Sequence, residues 1–89
     1  MPAYLITYDL KKPGADYADL LKTIKGNAWA RLSESSYAIT SNLTAQGVYN
    51  QLKPFIDRND QLYVITLKKP CDGQGDQTVN TWLSQYLPN

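Results

Sequence analysis

The chain has 89 residues, 43% of them apolar and 19% charged, which suits one domain with one modest core and excludes a disordered or membrane-embedded polymer. Nine Lys and Arg against eight Asp and Glu leave a net charge of +1, so no global field draws the protein onto nucleic acid and any such contact must be local. Histidine is absent, which removes imidazole bases, His-ligated zinc and Ser-His or Cys-His nucleophiles, and leaves carboxylates, a metal or lysine to carry any catalysis.

Ala3-Tyr4-Leu5-Ile6-Thr7-Tyr8 is rich in aromatic and β-branched residues and is stopped by Asp9 and then by Pro13-Gly14, which predicts a first strand over Ala3–Asp9. Asp16 is placed to cap a helix in which Tyr17, Leu20, Leu21 and Ile24 recur at i, i+3, i+4 and i+7 before Gly26. Residues 28–32 and 36–40 read as two short strands joined around Ser33-Glu34-Ser35. Asn42-Leu43-Thr44 matches a glycosylation sequon but reads better as the polar approach to a helix capped by Thr44. In that helix Ala45, Val48, Tyr49 and Leu52 share a face, Gly47 weakens the pattern, and Pro54 discourages continuation.

After a turn at Asn59-Asp60, Gln61–Leu67 is the most strand-like run in the chain. Lys68-Lys69-Pro70 leads into a Gly- and Asp-containing loop with the single cysteine, Cys71, which excludes an intrachain disulfide and fits a reducing compartment. From Asp76 a third helix is expected, with Val79, Trp82, Leu83, Tyr86 and Leu87 as an apolar stripe that docks the tail. No run approaches the roughly 18 apolar residues of a membrane span, and no basic-then-apolar leader precedes the first strand, so the expected location is cytoplasmic, without membrane contact.

The order βαββαβ followed by a helix predicts an α+β fold of ferredoxin-like arrangement: a four-stranded antiparallel sheet, two helices on one face, and a C-terminal helix. Residues 1–89 are expected to form one domain, with residues 1–69 as the βαββαβ core and 70–89 as loop and final helix. The other sheet face lacks helical cover within that core, so its apolar residues must meet a tail, a ligand or another subunit. Alternation puts Tyr4, Ile6 and Tyr8 on one face of the first strand and Leu5, Thr7 and Asp9 on the other.

Asp9 is the leading functional candidate, because a rigid strand end can hold a carboxylate steady for metal-assisted phosphodiester cleavage. Magnesium needs several oxygen ligands, and two chains meeting near the first strand would supply a pair of Asp9 carboxylates. The plainer role for a strand-end Asp is a cap or loop hydrogen bond.

Tyr4-Leu5-Ile6-Thr7-Tyr8-Asp9-Leu10 resembles the first strand of the CRISPR-associated Cas-two proteins, an apolar strand ending in an aromatic residue and Asp. Arg31-Leu32-Ser33-Glu34-Ser35-Ser36-Tyr37 is similar to that family's second signature, an Arg, a Ser four positions on, and an aromatic two further. The resemblance covers about residues 3 to 67 on the matching βαββαβ order, and is closest to the SinR-like branch, which also looks related to the VapD toxins.

The resemblance implies a ferredoxin-like homodimer with Asp9 of each chain near the seam, as the catalytic and metal-binding candidate. In several members the activity is divalent-metal-dependent cleavage of RNA or DNA, with magnesium the possible ion here, and others serve as scaffolds in which the Asp is dispensable. It also implies Arg31 as a phosphate or dimer contact, and Ser35 with Tyr37 as contacts or supports of the central sheet. Tyr8, Lys11 and Lys12 join these as candidate nucleic-acid or dimer contacts, although Tyr8 and Tyr37 better suit packing and Ser35 a turn, and Arg31 equally suits an edge-strand charge. The expected tail helix and the thin basic surface depart from the CRISPR members and count against spacer integration. Two further readings stand beside the endonuclease: a non-catalytic dimeric module binding nucleic acid or protein, and, ranked last, an RNA-recognition domain, whose aromatic signature neither Ser36-Tyr37-Ala38-Ile39 nor Tyr4-Leu5-Ile6-Thr7 supplies.

Overall fold

The computed structural model describes residues 1–11 and 17–89; Lys12, the Pro13-Gly14 turn and the Asp16 cap lie outside the described residues. The elements are β1 (Ala3–Asp9), α1 (Ala18–Ile24), β2 (Trp29–Ser33), β3 (Ser36–Thr40), α2 (Ala45–Leu52), a 3-10 turn (Lys53–Phe55), β4 (Gln61–Leu67) and α3 (Gln77–Tyr86). The fold is α+β: a four-stranded open sheet in the order β2-β3-β1-β4, antiparallel at every pairing, with three helices.

The local chemistry sets these limits. Thr44 caps α2, its side-chain oxygen accepting the Gly47 N–H at 3.0 Å, as its type and place predict. Gly47 has a packing reason, since a Cβ there would stand 3.1 Å from the Leu43 Cβ. Pro54 ends α2 at Leu52 but is accepted in the following 3-10 turn, where its missing N–H is not needed. The β2–β3 connection carries a register shift between Arg31 and Ser33, and the predicted turn at Ser33-Glu34-Ser35 becomes the end of β2 and a tight link.

Packing decides which face each strand residue takes. Tyr4 lies opposite Ile39, and Ile6 opposite both Tyr37 and Val64, so these residues share the face toward α1 and α2. There Tyr4, Ile6, Tyr37, Ile39 and Leu62 meet Leu20 and Ile24 of α1 and Val48 and Leu52 of α2. The Tyr4 hydroxyl also donates to the Leu43 carbonyl, tying the strand to the approach of α2.

On the opposite face Leu5 lies beside Ala38 and Ile65, and Ala30 beside Ala38. The two alanines leave room for one large ring, and Trp82 of α3 occupies it, only 9% exposed, with Leu67 and Leu83 alongside. Leu87 is buried too, and the Lys69 N–H donates to the Pro88 carbonyl at 2.6 Å, which closes the tail onto the sheet. The tail thus supplies cover for the β2–β3 half of this face. The β1–β4 half stays open: Leu5 and Thr7 are half-buried, while Tyr63 and Ile65 are 62% and 48% exposed. Among the described residues no helix is long and apolar enough to cross a membrane.

Candidate functional site

Asp9 is the last residue of β1, paired with Gln61 of β4, and falls by alternation on the open face with Leu5 and Thr7. Its side chain is 61% exposed and its Oδ2 accepts an ion pair from the Lys11 ammonium, itself half exposed. An exposed pair of this kind contributes about 0–1 kcal/mol, so Lys11 can leave Asp9 at little cost.

A second carboxylate, Asp60, is tied to the backbone of the same Lys11, while its place in the sequence marks it only as a turn residue. Asp60 Oδ1 accepts the Lys11 backbone N–H at 2.8 Å, and its Oδ2 accepts the Asp57 N–H at 2.8 Å and the Tyr17 hydroxyl at 3.2 Å. These donors hold the Asp60 carboxyl below the ordinary aspartate range, the Lys11 N–H contributing most, then the Asp57 N–H. Asp60 therefore fastens the segment after Asp9 to the α2–β4 turn. The sequence signal was an Asx-type spacing, Asp57 to Asp60, but its long-range partners Lys11 and Tyr17 are invisible in sequence.

The remaining candidates gather elsewhere. The Tyr8 N–H donates to the Ser35 carbonyl at 3.0 Å, and its hydroxyl to the Glu34 carbonyl at 3.3 Å, so the two signature segments meet at the β2–β3 turn. Burial raises the Tyr8 phenol above its ordinary value, Tyr37 adds to this, and Arg31 opposes it. Tyr37 is only 3% exposed, its ring tilted against Trp29 at 5.8 Å, with the Lys25 ammonium over both rings at 5.0 and 5.9 Å. Within one chain Tyr37 is a packing residue with almost no surface to offer a nucleotide. Ser35 is exposed in the turn and its N–H donates to the Ser33 hydroxyl, while Arg31 donates from Nε to the Ser33 carbonyl. Tyr8, Tyr37 and Arg31 lie toward the α1–α2 side and Asp9 on the opposite face, so these candidates do not form one site with Asp9.

A divalent ion would find one protein ligand here. Among the described residues no group of three or more acidic or Cys side chains could enclose a metal, and both Asp60 oxygens are engaged. Asp9 still fits magnesium in its common protein setting, one or two carboxylates completed by waters and substrate phosphates. A separate groove of about 720 Å³ lies between the end of β2, residues 69–76 and α3, lined by Arg31, Leu32, Cys71, Val79 and Leu83; Asp9 does not line it. No family model matches the chain.

Proposed function

We propose that the chain is a small cytoplasmic, homodimeric nucleic-acid enzyme on a ferredoxin-like scaffold, similar to the SinR-like relatives of Cas-two proteins, with Asp9 as its metal-binding carboxylate. The observation that carries this reading is the setting of Asp9: an exposed carboxylate at the end of a strand paired on both sides, with a weakly held lysine beside it. Magnesium, when bound, supplies the Lewis acid that polarises a phosphodiester and lowers the pKa of a coordinated water. Asp9 would hold and orient that ion through its carboxylate, and Lys11, held to Asp9 only by an exposed ion pair, would be free to turn to a phosphate oxygen of the strand being cut. Asp60, through the Lys11 backbone N–H, fixes where that lysine starts. The test is cleavage of RNA and DNA by wild type and Asp9→Asn, with and without magnesium. Loss of cleavage in a folded, dimeric variant supports the reading, and undiminished metal-independent cleavage refutes it.

One observation favours a second reading, a non-catalytic dimeric module for nucleic acid or protein: Asp60, which binds the Lys11 backbone N–H, is committed to backbone and hydroxyl donors. A dimer that binds RNA or DNA equally well in wild type and Asp9→Asn, and cleaves neither, supports that alternative.

A further inference from the structure

The two edges of the sheet differ. β2 is short, bears Arg31, and is interrupted by the register shift between Arg31 and Ser33, devices that discourage pairing with another chain. β4 has none of them. Its seven residues, Gln61-Leu62-Tyr63-Val64-Ile65-Thr66-Leu67, pair with β1 without a shift and contain no charge and no proline. Among the described residues no backbone hydrogen bond joins β4 to anything but β1, which leaves an outward row of N–H and C=O groups along the most β-prone run of the protein.

We propose that this free edge is a docking edge for β4 of a second copy, paired antiparallel about a two-fold axis at Val64, which joins the two sheets into one of eight strands. The inference takes up only the homodimeric part of the function proposed above and is independent of catalysis. The strand's own pattern selects the occupant. About Val64, Tyr63 stands opposite the partner's Ile65, an aromatic against a β-branched residue, and symmetry repeats the pair. Alternation keeps both on the open face, where they are the exposed apolar residues of β4. Leu62 meets the partner's Thr66, and Gln61 the partner's Leu67.

Charge at the strand ends agrees. Asp57, Arg58 and Asp60 before β4 sum to −1, and Lys68 with Lys69 after it sum to +2. Antiparallel pairing sets Lys68 opposite the partner's Asp60 at each end, whereas parallel pairing would crowd four lysines together.

This seam departs from the paired, near-seam Asp9 residues that the resemblance implies. They would be separated by three inter-strand steps of about 4.8 Å and six residues of about 3.3 Å, roughly 25 Å in all. Each Asp9 would then hold its own ion with substrate phosphate, and the pair would not share one.

The test needs two measurements. Wild type should sediment at twice the 10.0 kDa chain mass, and Ile65→Lys, at an exposed position, at once that mass while keeping its circular dichroism. In a Cys71→Ser background, Tyr63→Cys with Ile65→Cys should oxidise to a covalent dimer, whereas either single cysteine, being diagonal to its copy, should not. A monomeric wild type, a dimer that survives Ile65→Lys, or a covalent dimer obtained from Leu5→Cys in place of the paired cysteines overturns the proposal. Neither measurement involves Asp9. Cross-linking with no cleavage sinks only the enzyme, and magnesium-dependent cleavage without cross-linking sinks only the edge.

Discussion

Trp82→Ala tests the docking of α3 and separates it from the helix-side core. The ring is 9% exposed, seated on Ala30 and Ala38, and tilted against Tyr86 at 4.7 Å between centroids. Truncating a buried Trp costs about 3–5 kcal/mol. The contact with Tyr86 lies within α3 itself and partly persists in any helix that undocks, so the lower end, about 3 kcal/mol, is the expected loss. A ten-residue helix is marginal alone, so the loss should appear as α3 fraying away from the sheet. On a domain of this size it corresponds to a fall in Tm on the order of 12–24 °C. Hydrogen exchange is the discriminating assay. Amides of Gln77–Tyr86 should lose protection while those of β1, β3 and α2, which belong to the Leu20–Ile24–Val48–Leu52 core, keep theirs. Urea unfolding, followed through the remaining Trp29, should give the stability change. Unchanged protection across α3, or a loss below about 1 kcal/mol, would refute the packing argument.

Two further outcomes follow from local chemistry. The Asp60 carboxyl is held below its ordinary value by the Lys11 and Asp57 N–H groups, so its stabilisation is complete above the unfolded-state pKa and is lost as pH falls through the lower folded value. Urea midpoints from pH 7 to pH 2 should therefore fall in the acid range, and Asp60→Asn should flatten part of that slope; identical slopes would contradict the assignment. Thr44→Ala removes the acceptor for the Gly47 N–H and should cost about 1 kcal/mol by thermal unfolding, with Thr44→Ser largely restoring it.

The strands and helices were legible because their signals are local. Gln61–Leu67 is an unbroken β-prone run, and its predicted bounds are those of β4. The Thr44 cap and the Trp82 stripe likewise follow from spacing alone. Alternation divided β1 into two faces but could not orient them. That required knowing that the Tyr4 hydroxyl reaches Leu43 and that Ala30 with Ala38 makes a seat for Trp82. The site was less legible for the same reason. Asp9 was visible as a strand-end carboxylate, but Lys11 and Asp60 meet only through the fold, and Tyr37 faces the core on the side opposite Asp9. Nothing in a one-dimensional spacing separates a Tyr that packs from a Tyr that binds.

The most direct test of the central claim is a magnesium titration of RNA and DNA cleavage by purified wild type and Asp9→Asn, with fold and mass checked on the same samples. Wild type should show metal-dependent cleavage that chelation abolishes, and Asp9→Asn should cleave only at background with unchanged circular dichroism and dimer mass. Cleavage by Asp9→Asn equal to wild type would contradict that claim.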